Sequence, residues 1–598
     1  MSKIQDELKN DPLMPLRHSA EHLLHMSVEA LFPGAKKVMG PPIEGGFYGD
    51  FDSETKIAQE DFEKIEKRMR EIIKANLPVE MSEVTPEKAK EIFKDNKYKL
   101  EMVRDIEEKG EKIGVCEIGE KGNEIYDVDL CAGPHVEKTG DIDPEAFKLL
   151  SIAGAYWRGD EKNKMLTRIY STAFNTKENM EKYLEKLEEA KSRDHRKLGK
   201  ELDLFTFSEL VGPGLPLYTP KGTVIKEELQ KHIETISKRY GYQKVMTPHL
   251  AKIKLYELSG HADKFDLGLF RVTSDRKHDF VMKPVQCPHQ TQIYASRPRS
   301  YKDLPIRYME SEKQYRAEKS GEVGGLNRVY AITIEDAHSF CTVDQVKSEV
   351  KDLVNVVQEF YEPLGLWENR WVSLSVKDPK DMSKYIGEEK DWVECEKILE
   401  EVANETKLDA KRMEGEAALY GPKLDFMFKD ALGNDVQIPT IQLDFATPKR
   451  FDLEYTNEKG EKETPVMVHR AILGSYERMI ALLIEHFAGA FPVWLAPVQV
   501  GIIPISDDQV EYAQKIEKEL QKKELRVEIN TKNASMGAKI REAQLAKIPY
   551  MLIVGKKEQE ENSVSVRLRD GKDLGTMKPD DFAKKAQEVY LTRGLNLW

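Results

Sequence analysis

Apolar and polar positions recur along this chain with two different periods, and the changes of period mark its parts. In HSAEHLLHMSVEALF, Leu23, Met26, Ala30 and Leu31 return at helical spacing. That pattern predicts a helix with His18 and His22, four apart, on one face. Residues 176–200 are almost unbroken helix former, with Met180, Leu184 and Leu187 as a sparse apolar stripe, and predict a connecting helix. An amphipathic helix is expected over 223–240 and an extended segment over 242–248. Residues 305–318 are apolar enough for a strand, 318–325 are charged and rich in turn formers, and 328–334 return as a second strand, so this stretch reads as a β-hairpin with a long loop. Beyond residue 497 apolar strands alternate with polar helices: 498–505, 525–529, 550–554 and 564–568 as strands, 507–523 and 538–546 as helices. Such alternation predicts a small α/β domain around a mixed sheet.

Composition narrows the class. A chain of 598 residues is too long for one core and implies about three or four domains. With 40% hydrophobic and 33% charged residues it has the balance of a soluble globular protein. The longest apolar stretch, 479–505, is broken by Glu485-His486 and by Pro492, Pro497 and Pro504, and reads as core helix then strand rather than a membrane span. A net charge of −13 argues against wholesale coating by nucleic acid, so any RNA contact must come from local basic surfaces. Five cysteines without repeated spacing fit a reducing compartment. The N-terminal residues have no apolar core or Arg/Ser-rich character of a targeting segment, and a cytoplasmic location is expected.

The candidate chemistry lies in three places. Arg316 and Glu318 share a face if the first hairpin strand persists, and Arg328 lies across the hairpin. Arginines that fork onto phosphate oxygens would clamp a nucleotide there; an exposed charged hairpin is the plain alternative. There is no GxxxxGK[ST] loop, so a nucleotide would have to be held by arginines and metal. His18/His22 and Cys131/His135 form two pairs of equal separation, a set that could bind zinc. Cys287, His338 and His469 are too far apart for spacing alone to connect them.

Residues 305–342 resemble motif 2 of the class II aminoacyl-tRNA synthetases, and Asp336-Ala-His338-Ser-Phe-Cys341 resembles the threonyl branch of that family. Met282-Lys283-Pro284 with Cys287-Pro288 is similar to its first zinc-ligand segment, His469-Arg470 through Gly474-Ser475 to Arg478 to motif 3, and the helix and strand over 223–248 to motif 1. Gly45-Gly46-Phe47-Tyr48 and the segment 155–160 resemble the editing domain of threonyl and alanyl enzymes. The other synthetase class is set aside: no HIGH-type tetrapeptide occurs, and Asp381-Met382-Ser383-Lys384 is a chance echo of KMSKS.

The resemblance implies a multidomain α+β protein: an α+β editing domain over 1–175, a connecting helix over 176–200, a class II antiparallel-sheet catalytic domain over 201–496 and an α/β anticodon-binding domain over 497–598, without the small ubiquitin-like domain that usually precedes them. It implies a homodimer built on motif 1, tRNA(Thr), ATP and L-threonine as partners, one Zn²⁺ per subunit on Cys287, His338 and His469, and Mg²⁺ with ATP. Arg316 and Arg478 would bind the ATP phosphates, helped by Glu318, Arg328 and Lys423; Asp336 would accept a hydrogen bond from the threonine hydroxyl, with Tyr420, Gln437, Gln442 and Ser475 lining the amino-acid pocket. His18, His22, Lys99, Asp129, Cys131 and His135 would form a hydrolytic pocket, metal-free in the threonyl branch, and Asn533, Arg541, Glu558 and Arg567 would read the anticodon. His195 reads as structure.

The two halves have a common logic. A site that must pair with a hydroxyl rejects valine by about 10⁴–10⁵, whereas serine, lacking one methyl, is rejected by only about 10–200-fold. Editing of seryl-tRNA would supply the difference. The chain departs from the family in Cys287-Pro288-His289-Gln290 for Cys-Pro-Gly-His, in Ile332 for the Phe that meets adenine, in Ile334 for Gln, and in Ile438-Pro439 for Cys-Gly. His289 is thereby a rival ligand. A stand-alone deacylase and a non-catalytic RNA-binding paralogue are the rival readings.

Overall fold

The computed structural model describes residues 11–264, 268–275, 279–319, 321–430 and 433–598, so that Ser320 of the predicted turn lies outside the described residues. The chain forms two compact units, Met1–Glu188 and Glu189–Trp598, which divide within the helix Lys177–Arg193.

In the first unit the helix Met14–Leu31 opens with Pro15 in its first turn, where a missing N–H costs nothing. It lies on an antiparallel sheet built from Gly46–Asp52, Met165–Ala173 and Phe147–Tyr156, with Phe62–Lys74 as the second covering helix. Leu23, Leu24, Val28, Phe47, Phe51, Ile65 and Ile169 close this core. A three-stranded antiparallel sheet, Val79–Val84, Ile113–Ile118 and Asp127–Leu130, delivers the chain to Asp129 and Cys131.

The predicted connecting helix is two helices. Lys177–Arg193 stops at Asp194, whose carboxylate accepts from the backbone N–H of Arg196 (2.7 Å) and starts His195–Glu201. A side-chain cap of this kind offers the backbone an alternative to continuing the first helix.

The second unit is organised around an eight-stranded sheet in the order 243–244, 306–315, 331–341, 466–475, 435–444, 423–429, 371–376, 411–414. Its neighbours are antiparallel except at the two edges, where Gln243–Lys244 and Lys411–Glu414 pair in parallel. The expected class II antiparallel sheet is therefore present. Two helices cover one face: Pro220–Arg239 through Ile225, Leu229, Ile233 and Ile236, and Val343–Tyr361 through Val346, Val350, Leu353, Val357 and Phe360. Strand alternation sorts side chains between the layers. In Ala331–Cys341, Ala337 and Cys341 join the helix-side core, while Ile332, Ile334, Asp336 and His338 line a cavity. Buried Arg470 crosses to the helix side, where it donates to Glu335 (2.6 Å) and Ser237 (2.8 Å) beneath the Tyr242 ring.

Two strand readings differ from the sequence expectation. The first hairpin strand ends at Tyr315, so Arg316 and Glu318 lie on the loop rather than on one strand face. Of the extended 242–248 only Gln243–Lys244 pairs, because this segment forms the sheet edge.

The C-terminal part has a five-stranded mixed sheet in the order 527–529, 500–504, 550–554, 564–568, 573–577, the first three parallel and the last two antiparallel. The strands Tyr550–Val554 and Val564–Leu568 fall where the apolar runs predict them. The polar strand Asp573–Met577 and the closing helix Pro579–Thr592 carry no comparable signal in the expectation.

Candidate functional site

A cavity of about 290 Å³ opens on the free face of the large sheet. One row of cross-strand partners builds its floor: His338 faces His469 and His469 faces Gln442, while Lys423, opposite Gln442, ends the row outside the lining. Directly opposed residues in an antiparallel pair bring their side chains together on one face. The His338 and His469 rings meet edge to face at 4.7 Å. Cys287 reaches them from the first residue of the helix Cys287–Ala295. One donor atom from each of the three residues lies within 4.8 Å of the other two.

This donor set fits a divalent metal with nitrogen and sulfur preference. His338 Nδ1 lies 2.8 Å from Gln290 Oε1, and buried His338 Nε2 makes no hydrogen bond among the described residues. His469 Nε2 is held by Asp444 (2.9 Å), which leaves Nδ1 as its donor. A partner on the other ring nitrogen is how metal-binding histidines are oriented. Burial raises the Cys287 thiol well above its ordinary range, and Asp336 and Asp444 add to it, so the thiol stays neutral until a cation favours the thiolate. Three protein ligands leave an open position, as in zinc sites that bind substrate. His289 does not join this group: its ring is buried against Tyr256 at 6.1 Å, and burial lowers its pKa to about 4.

Two bulges aim the remaining groups. Between Glu335 and Ala337 the register shifts through extra residues on the 466–475 strand, where Ala471, Gly474 and Ser475 line the cavity, while Asp336 keeps the alternation of Ile334 and His338. A second shift, between Asp425 and Met427, lets odd-numbered Gln437 share the face of Thr440 and Gln442. Bulges re-aim side chains in this way beside functional sites. Burial, with Glu335 and Glu310 nearby, pushes Asp336 up to about 7, while Arg470 and Arg316 oppose the shift. Tyr420 donates to Gln442 Oε1 (2.7 Å) and stacks on His469 at 4.6 Å.

At the other end of the cavity stand Arg316, Arg328 and Arg478. Burial and Arg478 both lower the Arg316 pKa, and burial with Arg328 lowers that of Arg478. Like charges held together with few carboxylates make an anion site whose repulsion is relieved when phosphate arrives. Glu318 accepts from Arg328 (2.8 Å) and so orients it. Ser475 caps the helix Tyr476–His486 by accepting from Arg478 N (3.3 Å) and donates to Glu477. Lys423, predicted with the phosphate groups, is absent from the lining; its ammonium is bound to Asp425 (2.6 Å). Gln290, Asp444 and His261, which also lines the cavity, were not singled out from sequence.

The first unit holds the second site. His18, His22, Cys131 and His135 converge, with Cys131 Sγ 3.2 Å from His18 Nε2 and 3.3 Å from His135 Nε2, and His22 Nε2 3.2 Å from His135 Nε2. Burial lowers His18 to about 4 and His135 to about 3, and raises Cys131 to about 12, so all three are neutral at pH 7. Beneath them Lys99 pairs with Asp129 (2.6 Å), both buried. Sequence reasoning missed Glu21 and His25, which sit on the buried side of the same helix; His25 Nδ1 lies 2.9 Å from Glu21 and 3.4 Å from Asp129. The signal was available as two polar residues inside an apolar helical stripe. Asp129→Asn is expected to destabilise this unit by about 3–5 kcal/mol, because it leaves the buried Lys99 ammonium uncompensated. Urea unfolding of the full chain measures it.

In the C-terminal part Asn533 and Arg541 are exposed around the helix Met536–Leu545, Glu558 caps Gly555 (2.9 Å) and accepts from Ser565 (2.9 Å), and Arg567 lies on Val564–Leu568.

Comparison with known proteins agrees with this architecture. Residues 270–487 match the tRNA synthetase class II core domain (G, H, P, S and T), 499–589 an anticodon binding domain, and 113–170 the threonyl and alanyl tRNA synthetase second additional domain. Fold and site together define a class II aminoacyl-tRNA synthetase. The threonine–tRNA ligase of Rubrobacter xylanophilus is 45% identical over 97% of this chain and 89% of its own, and that of Gloeobacter violaceus 45% over 98% and 94%. The solved RNA binding domain of threonyl-tRNA synthetase from Cryptosporidium parvum superposes with a TM-score of 0.62 at 34% identity, covering 67% of this chain and 99% of that one. The chain belongs to the threonine–tRNA ligase family.

Proposed function

We propose that the protein ligates L-threonine to tRNA(Thr) through threonyl-adenylate, using ATP with Mg²⁺, and hydrolyses seryl-tRNA(Thr) in its N-terminal unit. The observation that carries this reading is the single cavity joining Cys287, His338 and His469 at one end to Arg316 and Arg478 at the other. One zinc ion on the three ligands would supply a Lewis-acidic position for the amino and hydroxyl groups of threonine. Asp336 accepts the hydroxyl hydrogen bond, and Tyr420 and Gln442 close the pocket around the amino acid. Arg316 and Arg478 draw the ATP phosphates into line, so that the threonine carboxylate attacks the α-phosphate and pyrophosphate departs. Positioning and charge neutralisation supply the acceleration. In the N-terminal unit His18, His22, Cys131 and His135 orient water toward the aminoacyl ester without metal, with Lys99 and Asp129 beneath them. Asn533, Arg541, Glu558 and Arg567 contact the anticodon.

Threonine-dependent ATP–pyrophosphate exchange tests the reading. Exchange with threonine, weaker exchange with serine and none with valine is expected; no exchange with any of them overturns it.

The active form in this reading is a homodimer. Leu210 is fully exposed and Met246 83% exposed, and Phe207, Val211, Leu217 and Leu250 are also open, all near the motif 1 segment. Exposed apolar side chains in such number indicate a contact surface. Met246→Glu is expected to shift the mass measured by light scattering from dimer toward monomer. No helix among the described residues is long and apolar enough to cross a membrane, and the five free cysteines suit a reducing cytoplasm.

A further inference from the structure

We propose that His195 is a positioning residue that pins the loop carrying Asn327 and Arg328 over the nucleotide end of the cavity, using Glu485 to fix its tautomer; this rests on the ATP-binding reading above. His195 is buried at the start of the helix His195–Glu201. Its Nδ1 lies 2.7 Å from Glu485 Oε1, which also accepts from the His195 backbone N–H (3.2 Å). Its Nε2 lies 3.1 Å from the backbone nitrogen of Leu326. An amide nitrogen only donates, so Nε2 must be the acceptor and Nδ1 the protonated donor to Glu485. The ring can make both bonds only as this one neutral tautomer.

The neighbouring residue shows how close the approach is. Gly325 has φ +52°, and a Cβ there would stand 2.3 Å from His195 Nε2. Only glycine lets the loop meet the ring. One residue beyond Leu326, the Asn327 carbonyl accepts from Arg478 Nε (2.9 Å). Arg478 and Glu485 both belong to the helix Tyr476–His486 and lie two turns apart on it. That helix thus holds two successive loop residues, Asn327 directly and Leu326 through His195. Arg478 spends one N–H on the loop and keeps its outer nitrogens for phosphate. The His195 bond keeps the loop, and with it Arg328, in place without drawing on Arg478. Among the described residues no other side chain bonds the Leu326 N–H.

Asparagine can reproduce the Nδ1 position of histidine and glutamine the Nε2 position, so the two substitutions separate the pin from general packing. In the full chain, His195→Asn is expected to raise KM for ATP in pyrophosphate exchange by about tenfold, the worth of one buried hydrogen bond, with KM for threonine unchanged. His195→Gln is expected to restore KM for ATP to within about threefold of the parent, since it keeps the acceptor for Leu326. Amide hydrogen exchange over residues 324–328 reads the same contact without catalysis: faster exchange in His195→Asn than in His195→Gln. Equal effects of the two substitutions on KM for ATP and on exchange over 324–328, or a rise of both KM values together, would overturn the pin. A parent enzyme inactive with every amino acid would overturn the proposed function, leaving the exchange comparison to decide the pin alone.

Discussion

Arg316→Ala is expected to lower threonine-dependent ATP–pyrophosphate exchange by about 10³-fold, at the upper end of what one preorganised electrostatic contact contributes. Arg316 is inset in the cavity, its Nε 3.4 Å from the Pro284 carbonyl and its Nη2 3.5 Å from Gln314, both long contacts that leave its fork available. The charge is already desolvated and already repelled by Arg478, so the cost of assembling the site is met on folding. A phosphate entering between the two guanidinium groups gains from both. Arg316→Lys keeps the charge but loses the planar fork, and should recover only part of the rate. The loss should appear in kcat more than in KM for ATP, because the contact tightens as charge builds on the α-phosphate. Exchange within tenfold of the parent would remove Arg316 from the phosphate site.

How much of this site was legible follows from how each part is built. His18/His22 and Cys131/His135 each lie four apart in sequence, and the structure sets the four side chains together. The trio of Cys287, His338 and His469 was visible only through family resemblance, because it is assembled by cross-strand register and a helix N-terminus that no local period encodes. Bulges are equally silent in sequence. The shift at Asp425–Met427 decides that Gln437 faces the cavity, and nothing in DVQIPTIQLD announces it. Lys423 was expected at the phosphates from family resemblance alone; Asp425, two residues along the same strand, holds its ammonium instead. The break at Asp194 was legible in principle, since Asp before His-Arg-Lys is a good helix cap, but the surrounding helix formers masked it.

The departures from the family pattern also have a physical reading. Histidine at 289 packs against Tyr256, and it is Gln290, on the same helix as Cys287, that orients His338. Ile332 and Ile334 line the cavity beside Val329 and offer an apolar wall in place of an aromatic and an amide. Ile438 fits against Gly474, where a Cβ would come within 3.0 Å of it, and both residues line the cavity.

Cys287→Ala is expected to abolish bound zinc, from one ion per subunit to none by atomic absorption, and with it the selection of threonine. The two histidines left behind cannot hold the ion firmly, because the thiolate supplies the negative charge and the soft donor of the set. Without the ion, nothing in the pocket pays for burying the substrate hydroxyl except Asp336, and the preference for threonine over valine, about 10⁴–10⁵ in a site that must pair a hydroxyl, should collapse toward the about 10²-fold of a shape-only pocket. Threonine exchange itself should also fall, since the amino group loses its anchor. Gln290→Leu leaves all three ligands in place and frees the His338 ring, so it should weaken zinc affinity by about 10–100-fold while saturating zinc restores exchange. Deacylation of seryl-tRNA should survive both substitutions, because His18, His22, Cys131 and His135 lie in the other compact unit. Retained zinc in Cys287→Ala would move the metal to other ligands, and retained threonine selection without zinc would assign the hydroxyl readout to Asp336 and Tyr420 alone.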